Sequence, residues 1–151
     1  MKKILAVSVF CILFAAQSSF AAVGETYNQM AQRYGAPRQV SIKAVAGAKD
    51  AARYTAAGAK GYSFNINNLT VYALFNANNV CFRMLALHNR ALPETSVLVG
   101  PAANTTPKVL LRIPRRAIVL QYGSGANAII YRSFGLPGNL SAEATNKSLE
   151  P

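Results

Sequence analysis

Hydrophobic and polar positions recur along this chain with two different periods, and the change of period divides it. Tyr27, Met30, Ala31 and Tyr34 fall at i, i+3, i+4 and i+7, one face of a helix, with Asn28, Gln29, Gln32 and Arg33 on the other. Thr26 and Gln29 stand at capping-box spacing, so hydroxyl and amide satisfy backbone donors that the first turn leaves without partners. Gly35 suits the positive-φ stop, Arg33 sits near the negative pole, and Pro37 prevents resumption. The pattern predicts a helix over 26–34. Such a short helix does not hold together alone in water, so it must pack against something.

Period two takes over downstream. Tyr62, Phe64 and Ile66 share one face of a strand, Leu69, Val71, Ala73 and Phe75 one face of the next, and Val80, Phe82, Met84 and Ala86 one face of a third. Asn67-Asn68 and Asn76 to Asn79 supply turns that tolerate positive φ. This predicts a three-stranded antiparallel meander over 61–87. Its opposite faces, with Thr70, Tyr72, Leu74, Cys81, Arg83 and Leu85, are too apolar to stand free in water, so a cover is expected.

A second meander is predicted over 108–134. Its strands are Val109 to Ile113, Ala117 to Tyr122 and Ala128 to Arg132, with turns at Pro114-Arg115 and Gly123-Ser124-Gly125. Ile66, Phe75 and Arg83 match Ile113, Tyr122 and Arg132, as in a repeat; convergence of two meanders on one alternation is the alternative. The fold class is α+β, a short N-terminal helix packed on two three-stranded antiparallel units.

The connectors carry weaker signals. Residues 43–59 are rich in alanine but poor in apolar volume, which predicts irregular chain with one helical turn near Lys49 to Arg53 and a short strand at Tyr54. "LPETSVLVGP" suits a short helix or a strand. From Leu136 onward Pro, Gly, Asn, Ser and Lys dominate without periodicity, so 136–151 is expected as a disordered tail.

The first residues look like an address. Lys2 and Lys3 precede an apolar run from Ile4 to Ala16, and Ser19-Phe20-Ala21 offers a cleavage site after Ala21. The run is short for a bilayer, which takes about twenty residues; a retained anchor is the alternative reading. Cys11 lies inside the run without a lipidation pattern. The chain is thus expected as a signal peptide over 1–21, one domain over 22–135 and the tail. It is read as a bacterial periplasmic or secreted protein that is not an integral membrane protein after processing. Only Cys81 would survive cleavage, which leaves no intramolecular disulfide.

Processing would leave fourteen basic residues against five acids, a formal charge of +9. No acid occurs between Thr95 and Ala142, where Lys108, Arg112, Arg115, Arg116 and Arg132 all fall. Such a field concentrates anionic partners, although charge also serves solubility.

The order of signal peptide, helix ending "QRYGAP", small linker and Tyr-led meander "GYSFNINNLTVYALFNANNVCFRML" resembles a set of small bacterial secreted proteins in which Arg-Tyr-Gly-x-Pro closes the first helix. Over 26–86 it is also distantly similar to the helix-plus-sheet modules of outer-membrane-assembly lipoproteins and beta-lactamase-inhibitor-like domains. The resemblance implies envelope binding or assembly rather than catalysis. It brings no catalytic residue, and this chain has no lipidation cysteine of the lipoprotein kind.

Reaction chemistry is sparse. The acids are scattered, no acid/base pair presents itself, and one histidine and one surviving cysteine fall short of the roughly four ligands of a zinc site. His88 with Cys81 is the one nucleophile pairing on offer, and its spacing does not require it. No cofactor, metal or catalytic residue is expected, and the chain is not read as an enzyme. The lead is Arg112, Arg115 and Arg116 around Pro114, with Lys108 and Arg132, as a grip on phosphate or carboxylate. The partners implied are an anionic envelope component or envelope protein, with nucleic acid second through stacking on Tyr122 and Tyr131. Charges that merely guard an edge strand are the alternative. Two functions follow: a noncatalytic envelope protein binding an anionic surface or a partner protein, or an inhibitor or immunity-type protein blocking an enzyme through its sheet face.

Overall fold

The first helix, α1, runs over Tyr27–Tyr34 in the computed structural model, which describes residues 23–66, 69–88, 98–136 and 139–151. The expected signal peptide lies outside these residues, as does the Asn67-Asn68 turn. The capping box forms: Thr26 Oγ1 accepts the Gln29 N–H at 3.3 Å and Gln29 Oε1 accepts the Thr26 N–H at 2.8 Å. Gly35 ends the helix at φ +85°, a conformation that a side chain disfavours. The packing that so short a helix requires is present. Met30 is fully buried, and Tyr27 stacks edge-on against Phe75 and tilted against Tyr62.

Eight strands build one antiparallel sheet: β1 Arg38–Val40, β2 Lys60–Ile66, β3 Leu69–Phe75, β4 Cys81–His88, β5 Lys108–Ile113, β6 Ala117–Tyr122, β7 Ile129–Leu136 and β8 Asn139–Asn146. Their order is β1-β2-β3-β4-β8-β7-β6-β5. The class is α+β, with both expected meanders present, β2 to β4 and β5 to β7. They lie on either side of β8.

That strand overturns the expected disordered tail. Asn139–Asn146 occupies the middle of the sheet, hydrogen-bonded to β4 on one side and β7 on the other. Ala142 and Ala144 are buried on one face while Glu143 pairs with arginines on the other. The alternation has the strand period, but its inward residues are alanines, too small to register as an apolar run.

A second helix, α2, spans Ile42–Ala56 where irregular chain was expected, and it includes Tyr54, expected as a strand residue. Gly47 at φ +78° breaks it into two short pieces, each of which depends on packing against the sheet. The helix buries Val45 and Tyr54, and the larger side chain supplies the missing volume: Tyr54 is fully buried against Phe82, ring centroids 5.1 Å apart. This is the cover that the apolar outer face of β3 and β4 called for.

Two cores result. Met30, Phe64, Val71, Phe75, Met84 and Tyr131 fill one face beneath α1 and the buried Leu98-Val99, while Val45, Tyr54, Leu74 and Phe82 fill the other beneath α2. Phe82 was expected beside Met84 and Ala86. The ladder instead pairs Phe75 with Cys81 and Leu74 with Arg83, so Phe82 is a bulge residue turned to the opposite core, and Cys81 takes the Met84 face. The segment "LPETSVLVGP" is described only from Leu98, and a 3-10 turn over Gly100–Asn104 follows.

Candidate functional site

The arginine-bearing turn joins β5 to β6. Pro114 fixes its first corner and Arg116 N–H donates to the Ile113 carbonyl at 3.0 Å, closing four residues. Arg115 occupies the third position at φ +59°. That conformation belongs to glycine or asparagine in such turns, and a side chain there carries a strain of about 1 kcal/mol. The chain places a guanidinium where glycine would be easier.

Beside the turn runs an open groove of about 510 Å3, bounded by the chain from Arg112 to Ile118 and by Ser133, Phe134 and Gly135 of β7. Gly135 N–H donates to the Arg116 carbonyl at 3.1 Å and ties the turn to β7. Arg112, Arg115 and Arg116 therefore meet at one end of the sheet, as expected from their spacing.

Lys108 and Arg132 do not join them. Lys108 opens β5, on the order of 17 Å from Ile113 at the rise of a strand. Arg132 points its Nη1 to Glu143 Oε1 at 3.3 Å, and Arg83 reaches the other oxygen of that carboxylate at 2.8 Å. These residues border a separate polar cavity of about 250 Å3 with Arg53, Tyr54, Lys147 and Glu150. Burial alone lowers the Arg83 pKa, but the charge and hydrogen bond of Glu143, together with those of Tyr54, outweigh it and the net direction is upward. Arg53 is drawn toward Glu150 at 3.5 Å, which fixes the chain end beside α2.

An apolar surface escaped the sequence reading. Val109, Leu110, Leu111 and Ile113 of β5 are each 43–49% exposed, although their pattern is that of a core strand. The strand registers align Leu87, Ser141, Phe134, Ala117 and Ile113 in one row across the sheet, of which Leu87, Phe134 and Ile113 are exposed. Nothing in the local sequence marks these residues as surface. For β5, the strand order that puts it outermost does so.

Cys81 and His88 stand at the two ends of β4, on the order of 23 Å apart along the strand. Cys81 is fully buried, and that burial pushes its thiol well above the ordinary cysteine pKa. Among the described residues no three His, Cys, Asp or Glu side chains are grouped to hold a metal ion, and no helix is long and apolar enough to cross a membrane.

Comparison with protein-family models, curated proteins and solved structures finds no match to this chain.

Proposed function

We propose that this is an exported, noncatalytic protein of the bacterial cell envelope that binds an anionic partner, a surface or a protein, through β5 and the β5–β6 turn. One observation carries the reading: Arg115 is held at φ +59° between Arg112 and Arg116, beside an exposed apolar strand. Strain tolerated at an exposed turn points to a use for the side chain displayed there. Guanidinium groups grip phosphate or carboxylate in bidentate fashion, and the excess positive charge steers anions toward them. The N-terminal address pattern supports export as the compartment, and Val23, two residues past the expected cleavage point, is buried.

Retention on anionic vesicles or acidic peptides tests the reading. The wild-type protein is expected to bind at low salt and to release as ionic strength rises, and the variant R112A/R115A/R116A is expected not to bind. Retention that ignores both changes contradicts it.

The uncovered apolar row of Leu87, Phe134 and Ile113 favours a second reading, an inhibitor or immunity-type protein that blocks an enzyme through its sheet face. A packed interface of that kind would survive high salt, which separates the two.

A further inference from the structure

The sheet ends in two unequal edges. β1 is three residues long, bounded by Pro37 and Ser41, and offers little to pair with. β5 is six residues long, lies at the end of the strand order and is exposed at every position. Among the described residues nothing pairs with its outer side. An edge strand turns the N–H and C=O of alternate residues outward, so β5 presents a row of open hydrogen-bonding groups on the order of 20 Å long.

Proteins blunt such edges with shortness, proline or charge. Pro107 and Pro114 bound β5 without entering it, and its blunting rests on Lys108 and Arg112 alone. Charge therefore decides what can add here. A second copy of the chain would double Lys108, Arg112, Arg115 and Arg116 along one seam, and no acid from Thr95 to Ala142 offsets them. An acidic strand meets no such opposition.

The faces of β5 narrow the choice further. Leu110 is a bulge residue, so Leu111 and Ile113 pair with Val119 and Ala117 on the apolar face while Arg112 pairs with Ile118 on the other. Before the bulge Lys108 shares the Leu111 face and Val109 the Arg112 face, but from Leu111 to Ile113 a strand laid along β5 would find apolar side chains on one face and a guanidinium on the opposite one. Alternation of apolar and acidic residues matches both at once.

We propose that β5 accepts, as a ninth strand, an extended polypeptide segment in which carboxylates alternate with apolar side chains. The apolar residues lie along Leu111 and Ile113, and the carboxylates face Arg112 and the basic turn. This deepens the anionic-partner reading above and rests on it.

The probe is a peptide of about ten residues alternating valine with glutamate, long enough to span an ordinary strand. Its binding is followed by fluorescence anisotropy and by amide hydrogen exchange of the protein. Controls are the same peptide N-methylated at alternate residues, oligoglutamate of equal charge, and phosphatidylglycerol vesicles. The expected result is saturable binding that slows exchange within β5, weakened at least about tenfold by N-methylation and by R112A/R115A/R116A. Equal binding of the N-methylated peptide or of oligoglutamate overturns strand addition and leaves an anion site. Binding to vesicles but not to peptide overturns it in favour of a lipid surface. Self-association that protects β5 overturns it in favour of a second copy. Binding to none of the anionic probes removes the underlying reading as well.

Discussion

Arg83 Nη2 stands 2.8 Å from Glu143 Oε2 across the β4–β8 ladder, and the same carboxylate holds Arg132 from β7. One side chain of the central strand thus clamps the last strands of both meanders. The side chains of Arg83 and Glu143 are 17% and 20% exposed. Removing the carboxylate strands Arg83 in a largely buried position, which costs more than losing an exposed pair. Glu143→Gln is expected to destabilise by about 2 kcal/mol in urea unfolding, a fully buried pair costing more. Arg132→Ala, at the more exposed end, is expected to cost less than about 1 kcal/mol.

Arg115 offers a prediction with two opposite signs. Arg115→Gly relieves the positive-φ strain and is expected to raise stability by about 1 kcal/mol. It also removes a guanidinium from the turn and is expected to weaken retention on anionic vesicles. A more stable variant that binds as well as wild type shows that the arginine has no part in binding.

β8 makes the end of the chain indispensable. Deleting residues 139–151 removes the strand that β4 and β7 share, together with both buried alanines. Loss of cooperative unfolding by circular dichroism is expected. A deletion that unfolds like the full chain contradicts the central placement of the strand.

The buried Cys81 thiol sets a pH dependence. Its folded pKa is raised by burial, so above the ordinary thiol value of about 9 the folded state keeps a proton that the unfolded state has lost. Stability is then full below that pH and falls as pH rises, by up to about 1.4 kcal/mol per pH unit. The phenol of Tyr54, raised chiefly by its own burial, adds to the fall beyond about pH 10. Cys81→Ala is expected to flatten the decline between about pH 9 and 10 in denaturant titrations.

What could be read from the sequence was whatever had a loud local signal. The capping box at Thr26 and Gln29, the asparagine turn before Val80 and the alternation of β2, β3, β5 and β6 all form where their residues predict. β8 and α2 were missed for one physical reason. The inward residues of β8 are alanines, and α2 buries Val45 and Tyr54 among mostly exposed alanines, so neither leaves much hydrophobic contrast along the chain. The bulge at Phe82 was invisible because it depends on a register that only the partner strand sets. For the site, the meeting of Arg112, Arg115 and Arg116 follows from a proline turn and was legible. The diversion of Arg132 to Glu143 depended on β8, and the exposure of β5 depended on strand order, so neither was available from local pattern.

The affinity of the purified protein for the alternating valine–glutamate peptide, measured against salt for wild type and for R112A/R115A/R116A, bears most directly on the basic edge as a binding surface. Wild-type affinity is expected to fall steadily as salt screens the contact, with the variant at least about tenfold weaker at low salt. Equal affinities for the two proteins at every salt concentration would contradict that role for the edge.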